Sequence, residues 1–303
     1  MTDYVFTYVD GDDDNWYKQF VVAAKKDGRK PDRRGVRYRS WGTLKYLLRG
    51  IAENLPFINN LYMVVESMSQ VPSWVNTETV HIVTHDMIIP QEYLPTYNSN
   101  VIETFLYKIP GLSEQFIYGN DDMFPIGMLR EEDFFENGRP LVACHEKTRP
   151  TRMTIYRRSL IRTLELCMNY NNYHLRSDRY VRSDHSLSPM LRSTWNAYHR
   201  LYGDDIMSTL STFRKPNNVT QELSNFHHYI FNEKHRIHIP TVRRISYFEF
   251  KKESAERLRK PLFNPRTQVI CINDSGVLDY DASKQIVCDI FDEKFPNKCK
   301  YEL

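Results

Sequence analysis

The chain has 303 residues, with 41 lysines and arginines against 38 aspartates and glutamates, a formal net charge of +3 and a pI near 8.4. This balance lacks the strong positive excess typical of nucleic-acid-binding proteins, so we expect no nucleic-acid partner, whereas a small anionic substrate fits it. The length suits one large α/β domain or two smaller ones, with a core that needs no disulfides.

Five cysteines without a C-x-x-C pair argue against both a disulfide framework and a zinc site, so we expect buried thiols in a reducing compartment. The amino terminus enters a predicted strand almost at once, which leaves no room for a secretory leader. No apolar run reaches membrane-spanning length. The sequence therefore predicts a cytoplasmic protein, and peripheral association with a membrane-bound biosynthetic complex is compatible with this expectation.

The first predicted strand, Tyr4 to Val9, ends in a cluster of carboxylates. Asp12 to Asp14 are typical of a turn and helix N-cap, followed by a helix through Trp16 and Phe20. Asp10 stands at the carboxyl end of the predicted strand, directly after Val9, where a side chain can reach a nucleotide bound over the sheet edge. We therefore predict a binding role for Asp10 alone among these acids.

A polar, basic loop from Asp27 to Gly35 leads to Arg37 and Arg39, just before a helix predicted from Gly42 to Glu53. Guanidinium groups and the free N–H groups of a helix start can hold a phosphate together. Solvated surface charges are the alternative interpretation, and both stay open for any single arginine.

Further strands are predicted at Leu61 to Val65 and at Val80 to Thr84, and a helix-like segment surrounds Glu103. A short apolar run, Gln115 to Tyr118, then reads as a buried strand. This alternation of strands and helices predicts an α/β fold with a largely parallel sheet flanked by helices.

The strand at Gln115 to Tyr118 ends in Gly119-Asn120-Asp121-Asp122. Adjacent acids at the carboxyl end of a buried strand lie where an open α/β sheet presents its chemistry. Paired carboxylate oxygens suit Mg²⁺ or Mn²⁺ carrying a substrate phosphate. Asp121 and Asp122 are therefore predicted to form a metal-diphosphate site.

The second half of the chain is less regular. The predicted elements are a strand in Arg139 to His145, an arginine-rich helix in Lys147 to Arg162, a helix-like run from Pro189 through Trp195 and Tyr198, a helix at Thr220 to Phe231, a strand at Val269 to Ile272 and a final helix at Tyr280 to Phe295. His185 is a candidate catalytic base, although a lone histidine is more often structural. The last strand ends in Asn273-Asp274, a further pair of oxygen ligands.

The absence of a repeat or a clear linker predicts a single catalytic domain over residues 1–303. Within this domain, the sequence suggests three parts: a nucleotide-sugar-binding half (1–145), a helical acceptor-side insertion (146–260), and a strand and helix that complete the core (261–303).

Four blocks of this sequence resemble the signatures of the Stealth family of hexose-1-phosphate transferases, which includes bacterial capsule phosphotransferases and the animal N-acetylglucosamine-1-phosphotransferase. The blocks are Tyr8 to Asp12; Arg37 to Arg49 with Leu94 to Phe124; His185 to Ser193 with Phe213-Arg214; and Cys271 to Asp274. The run LPTYNSN followed by IPGLSEQFIYGNDD is too long and particular for a chance match. The third block departs from the family pattern, because Ser186 to Ser188 separate His185 from its proline.

The resemblance implies a nucleotide-sugar-transferase (GT-A-like) fold and a specific reaction. Such enzymes transfer a sugar-1-phosphate from a UDP-sugar, here UDP-GlcNAc or a related UDP-hexose, to a hydroxyl of a glycan or lipid-linked glycan. UMP is released, and a phosphodiester forms in a capsular or other cell-surface polysaccharide. The attack falls on the β-phosphorus, which calls for charge neutralisation, in-line positioning and a base.

The resemblance also implies roles for individual residues. The catalytic set is His185, Asp121, Asp122 and Arg214; the substrate-binding set is Asp10, Gly11, Arg37, Arg39, Arg49, Asn98, Asn100 and Glu103; and Asp121, Asp122, Asn273 and Asp274 hold Mg²⁺ or Mn²⁺. His185 takes the acceptor proton, and the arginines neutralise phosphate charge. Two alternatives stay open: a metal-dependent glycosyltransferase that releases UDP, and a non-catalytic nucleotide-sugar- or glycan-binding protein.

Overall fold

A computed structural model describes residues 1–31, 38–235, 244–250, 254–274, 276–277 and 279–303. The elements of the first half are β1 (Thr2–Thr7), α1 (Asp14–Lys26), α2 (Leu44–Asn54), β2 (Ile58–Val65), β3 (Val80–Thr84), α3 (His85–Ile88), α4 (Ser99–Phe105), β4 (Gln115–Asn120), β5 (Met123–Pro125), β6 (Phe135–Glu136), β7 (Arg139–Pro140) and β8 (Cys144–Thr148). Those of the second half are α5 (Ile155–Asn171), β9 (Arg179–Ser183), β10 (Ser188–Leu191), α6 (Arg192–Met207), α7 (Glu222–His235), β11 (Ile245–Glu249), α8 (Arg259–Leu262), β12 (Val269–Asn273) and α9 (Tyr280–Lys294).

The central sheet has five strands in the order β10-β4-β1-β2-β3. Strand β1 pairs in parallel with β2 and β4, β2 pairs in parallel with β3, and β10 pairs antiparallel with β4. The middle strand, β1, is buried along nearly its whole length, as expected of a strand covered on both faces. The predicted α/β fold with a largely parallel sheet flanked by helices is confirmed.

Alternate residues of β1 enter two separate parts of the core. Tyr4 and Phe6 pack with α2 and α9 on one face of the sheet, whereas Val5 packs with α4, α5, α6 and α7 on the other face. This alternation follows from the two-residue period of a strand. Helices α5, α6 and α7 therefore cover one face of the central sheet together with α4, whereas α9 lies on the opposite face with α2.

The parallel strands end at a common edge. Thr7, the last residue of β1, is in register with Val64 of β2 and with Asn120 of β4. The segments that follow these strands therefore meet at the carboxyl edge of the sheet, where α/β proteins place their ligands.

The strand predicted at Val269 to Ile272 forms β12 but lies outside the central sheet. It belongs to a second sheet of order β11-β12-β5, in which Cys271 of β12 is in register with Met123 of β5. Only Asp121 and Asp122 separate β4 of the first sheet from β5 of the second. The two adjacent acids are thus the link between the two sheets.

Three details differ from the sequence expectations. Residues 188–191 form an edge strand rather than the start of a helix, and an edge strand tolerates the missing N–H of Pro189. The strand expected in Arg139 to His145 is divided between β7 and β8. Strand β1 ends at Thr7, so Asp10 lies in the following turn and not at the strand end.

None of the described helices combines the length and the apolar character that crossing a bilayer requires.

Candidate active site

A cleft of about 500 Å³ lies at the carboxyl edge of the central sheet. This volume is in the range of small-molecule sites. The segments after four parallel strands line it, as do the carboxyl end of β12 and the residues before α2. Its lining includes Thr7, Tyr8, Val9, Tyr38, Arg39, Ser40, Trp41, Glu66, His85, Tyr97, Ser99, Asn120, Asp121, Asp122, His185, Arg214, Asn273 and Asp274.

Asp121 and Asp122, the link between the two sheets, form the acidic part of the cleft. Burial, together with the neighbouring Asp122 carboxylate, raises the pKa of Asp121 to about 7. Asp122 Oδ1 is buried and has no hydrogen-bond partner among the described residues. A buried carboxylate oxygen without a partner is costly, and a bound cation removes that cost. The pair has the oxygen chemistry of a hard-cation site.

His185 faces Asp122 across the cleft, with 3.9 Å between His185 Nε2 and Asp122 Oδ2. Its side chain is 42% exposed, but this surface lines the concave cleft. Burial favours the neutral imidazole, yet the Asp122 carboxylate, with Glu222 and Glu103 further away, outweighs that effect and raises the pKa of His185. The histidine therefore sits beside the acids that the sequence also predicted.

The three residues that separate His185 from its proline have a clear place in the fold. Leu187 is buried in the core, and Ser188 is in register with Tyr118 of β4. The antiparallel pairing of β10 with β4 thus carries His185 back to the carboxyl end of β4, next to the acidic link. The departure from the family pattern is accommodated by strand pairing.

Asp274 lines the cleft but is already saturated with donors. Arg39 donates to both of its oxygens, with 2.7 Å between Arg39 Nη2 and Asp274 Oδ1. Trp41 Nε1 donates to Oδ2 at 3.0 Å, and the N–H of Gly276 donates to Oδ1 at 2.9 Å. The Arg39 guanidinium also lies 4.4 Å from the centre of the Tyr280 ring. Asp274 therefore orients Arg39, and in this arrangement it is not directed at a metal shared with Asp122.

Arg214 reaches the cleft from the other side, where it donates to the hydroxyl of Ser99. Glu103 lies one layer deeper, because it is buried and does not line the cleft. Burial raises the pKa of Glu103, and the charge of Arg214 partly opposes that shift. The Tyr118 hydroxyl lies 3.2 Å from Glu103 Oε1 and 2.7 Å from Asn120 Oδ1, so Glu103 connects to the floor of the cleft.

Arg49 is not in the cleft. Its Nε and Nη2 donate to the two oxygens of Glu302, each at 2.8 Å, and its Nη1 donates to the carbonyl of Phe295 at 2.7 Å. The first residue of α2, Leu44, lines the cleft. Five residues further along a helix, a side chain has moved about 7.5 Å and turned by about 140°. Helix geometry therefore directs Arg49 to the carboxyl-terminal segment, away from the predicted phosphate.

Asn98 is fully buried and caps helix α4, with its Oδ1 accepting from the N–H of Asn100 at 3.2 Å. Its Nδ2 donates to the Ser211 carbonyl and to Asn218 Oδ1, each at 3.0 Å. Asn100 is also buried and does not line the cleft. Both asparagines are structural in this arrangement, and Asn98 holds the loop that carries Arg214.

Asp10 and Gly11 lie beside the cleft, in the turn after β1. The N–H of Asp10 donates to Gln70 Oε1 at 2.7 Å, and Asp10 Oδ1 accepts from the N–H of Asp12 at 3.0 Å. The N–H of Gly11 donates to the Tyr38 carbonyl at 3.1 Å, and a Cβ there would collide with that carbonyl. Gly11 thereby holds Tyr38 at the rim. Arg37 lies outside the described residues.

The sequence expectations missed an aromatic wall of the cleft. Trp16, Tyr38 and Tyr97 line it, and their ring centres lie 5.2 Å (Trp16 to Tyr38) and 5.5 Å (Trp16 to Tyr97) apart. These rings come from three distant segments, so no local pattern identifies them. His85, directly after β3, was also missed; burial lowers its pKa to about 4, so it is neutral near pH 7.

A family model matches part of the first half of the chain, and known proteins are similar to it along nearly its whole length. Residues 37–141 match the family model described as Stealth protein CR2, conserved region 2. The capsular polysaccharide phosphotransferase WcwK of Streptococcus pneumoniae is 28% identical over 99% of this chain and 98% of its own length. The exopolysaccharide phosphotransferase cps2G of Lactiplantibacillus plantarum is 26% identical over 99% of this chain and 96% of its own length. The capsular polysaccharide phosphotransferase cps1A of Actinobacillus pleuropneumoniae is 30% identical over 71% of this chain and 61% of its own length.

Proposed function

The chain belongs to the Stealth family, and we propose that it transfers a sugar-1-phosphate from a UDP-sugar to a hydroxyl of a glycan acceptor, releasing UMP. The donor is UDP-GlcNAc or a related UDP-hexose, and the product is a phosphodiester in a capsular or other cell-surface polysaccharide. The fold is of the GT-A-like nucleotide-sugar-transferase type, and the nucleotide binds at the carboxyl edge of the parallel strands. The reaction takes place in the cytoplasm. This location agrees with the five cysteines, which form no disulfide.

The observation that carries this proposal is the position of His185 opposite the Asp121-Asp122 link in one cleft. Transfer of a phosphoryl group needs little covalent chemistry from the protein, but it needs charge neutralisation and a base for the incoming hydroxyl. Here a titratable imidazole and a pair of acids meet at the strand ends. That combination supports phosphosugar transfer better than simple binding.

Two arginines supply positive charge for the diphosphate. Arg39 is held from one side by Asp274 and from another by the ring of Tyr280, so its guanidinium is oriented before a substrate arrives. Arg214 comes from the loop that Asn98 anchors, on the opposite wall. Preorganised cations lower the barrier because they do not have to reorganise as charge moves.

A divalent cation fits the acidic link. Asp121 and Asp122 offer carboxylate oxygens, Asn273 lies in the same cleft, and Asp122 Oδ1 is buried with no hydrogen-bond partner in the part of the chain that the structure describes. Such oxygens suit Mg²⁺ or Mn²⁺, and we assign these three residues to it. Asp274 is left out, because its oxygens are occupied by Arg39, Trp41 and Gly276. When bound, the cation supplies charge neutralisation at the diphosphate.

His185 accepts the proton of the attacking hydroxyl. The Asp122 carboxylate stabilises the imidazolium that results, which agrees with the raised pKa of this histidine. The neutral form is the competent base, so transfer should increase as the pH rises through the pKa of His185. The aromatic wall of Trp16, Tyr38 and Tyr97 gives flat apolar surfaces for the uracil or sugar ring.

Product analysis tests the proposal. The purified protein is incubated with UDP-GlcNAc and other UDP-hexoses, a glycan acceptor, and Mg²⁺ or Mn²⁺, and the nucleotide products are separated by chromatography. Release of UMP, with a new phosphodiester signal in ³¹P NMR, is the expected result. Release of UDP identifies the glycosyltransferase alternative, and binding of UDP-sugar without any turnover identifies the binding-protein alternative.

A further inference from the structure

A second kind of metal chemistry is available in the cleft, because one of the five thiols lies beside the acidic link. Within the described part of the chain, Asp122, His185 and Cys271 form a group whose ligand atoms all lie within 4.8 Å of one another. Cys271 Sγ is 3.6 Å from Asp122 Oδ2, and His185 Nε2 is 3.9 Å from the same oxygen. The nitrogen-oxygen distance is too long for a hydrogen bond.

These separations resemble the edges of a tetrahedral zinc site. With Zn–S near 2.3 Å and Zn–N near 2.0–2.1 Å, neighbouring ligands of a tetrahedron stand about 3.3–3.6 Å apart. The thiol–carboxylate separation of 3.6 Å already matches such an edge, the imidazole–carboxylate separation of 3.9 Å is slightly longer, and the third separation is within 4.8 Å, so the three ligands would contract around an ion. Asp122 and His185 are partly exposed, at 30% and 42% of their side chains, so the fourth position opens to the cleft.

The backbone holds the triad in place. Cys271 is in register with Met123, and the N–H of Ile272 donates to the carbonyl of Asp122 at 2.9 Å. The thiol and the carboxylate are therefore fixed by adjacent strands of the second sheet. His185 is fixed by the strand that follows it, β10. The group is preorganised by three backbone segments, and no loop has to close over it.

The donor types select the ion. A thiol, an imidazole and a carboxylate are the ligands that Zn²⁺ prefers, whereas Mg²⁺ takes oxygen atoms almost alone. For a given site with nitrogen and sulfur donors, zinc also binds more tightly than Mn²⁺. Asp122 is common to this triad and to the hard-cation set, so the two kinds of ion compete for one carboxylate.

We propose that Asp122, His185 and Cys271 form a Zn²⁺ site that overlaps the activating-cation site, and that Zn²⁺ bound there inhibits the enzyme. As the Zn–S bond forms, the thiol proton leaves to solvent, and no electron is transferred. His185 then has its Nε2 on the metal, and Asp122 is withdrawn from the diphosphate. The binding site stands on geometry alone, whereas the inhibition rests on the function proposed above.

Direct binding is tested with Co²⁺, the spectroscopic substitute for Zn²⁺, on the full chain. A thiolate-to-cobalt charge-transfer band should appear in the near ultraviolet and disappear when Zn²⁺ is added. Cys271→Ser should lack the band. The matched control is Cys144→Ser, which changes another buried thiol, one that donates to the Asn225 carbonyl at 3.8 Å outside the cleft. That variant should retain the band.

Inhibition is measured as UMP release in excess Mg²⁺ while Zn²⁺ is titrated. Cys271→Ser should keep Mg²⁺-supported turnover and raise the half-inhibitory Zn²⁺ concentration at least about 10-fold, since changes even outside the ligand set cost roughly 10–100-fold in affinity. Cys144→Ser should be inhibited like the original protein. An unchanged Zn²⁺ response in Cys271→Ser overturns the site.

The outcomes separate the two proposals. A cobalt-thiolate band without any sugar-phosphate transfer retains the zinc site and rejects the proposed function. Transfer activity without the band rejects the zinc site and retains the function. If Cys271→Ser does not fold, the band of the unaltered protein and its weakening in His185→Ala decide the question.

Discussion

Two buried arginine-carboxylate pairs in this molecule look alike but lie in different surroundings. In the cleft pair, Arg39 and Asp274 expose 10% and 9% of their side chains; in the clamp pair, Arg49 and Glu302 expose 9% and 5%. Both guanidinium groups make two parallel bonds to one carboxylate. The cleft pair borders the strand ends, whereas the clamp pair joins α2 to the carboxyl terminus.

Burial and pairing geometry therefore do not separate Arg39, which we propose to bind the diphosphate, from Arg49, which joins α2 to the carboxyl-terminal segment. Removing one partner of a buried pair leaves an uncompensated charge in either case. The distinguishing feature is position relative to the carboxyl edge of the parallel strands. Around that edge, a changed side chain should alter turnover; at the clamp, it should alter the free energy of unfolding.

The largest effect is expected at the acidic link. Asp122→Asn should lower UMP release about 10³-fold, because loss of several kcal/mol of charge stabilisation at the diphosphate corresponds to that factor. The melting temperature should stay near that of the original protein. Asp178→Asn, at an exposed carboxylate that pairs with Arg176, is the control and should leave turnover unchanged. Equal activity in both variants would contradict the metal assignment.

His185→Gln should lower transfer by about 10²-fold, at the lower end of the usual contribution of a general base. Binding of the UDP-sugar, measured by calorimetry, should change little, because the imidazole acts on the acceptor. In the unaltered protein, turnover should fall as the pH drops below the pKa of His185, which Asp122 raises above its ordinary value. With Mg²⁺ saturating, so that Asp121 stays ionised on the metal, retention of that acid limb in His185→Gln would argue against the assignment.

At the clamp pair, Arg49→Met should destabilise the protein by about 3–5 kcal/mol, measured by urea unfolding, because Glu302 is left buried and unpaired. The folded fraction should retain its turnover per molecule. Adding Glu302→Leu should restore much of the stability, since an apolar pair replaces the unpaired charge. Arg39→Met is the comparison and should lose turnover as well. Equal turnover losses at Arg39 and Arg49 would remove the distinction between the two regions.

The smallest effect concerns acid sensitivity of the helical layer, away from both pairs. Burial lowers the pKa of His227 to about 4, below its ordinary value of 6.5. Below pH 6.5 the unfolded chain takes up a proton that the folded protein does not, so stability is lost as the pH falls from 6.5 towards 4. From pH 7.5 to 5.5 this amounts to about 1 kcal/mol. His227→Gln should reduce that loss without changing turnover at pH 7.5, and an unchanged pH dependence of unfolding would contradict the assignment.

The sequence by itself determined much of the framework. Apolar runs identify β1, β2, β3 and β4, and their alternation with helices predicts the parallel sheet, because strand periodicity and burial are local properties. Acids after a buried strand identify Asp121 and Asp122 as candidates, since parallel strands present their ends at one edge. The residue blocks were also sufficient to identify the family.

Tertiary structure alone decided which neighbours these residues have. The pairing of β12 with β5 brings Cys271 to Asp122, although 149 positions separate them. The helical period of α2 directs Arg49 away from the cleft. Arg39 precedes that helix, lines the cleft and pairs with Asp274. Three distant segments assemble the aromatic wall. These contacts depend on strand pairing between distant segments and on the orientation of helix faces. No local pattern of residues predicts them.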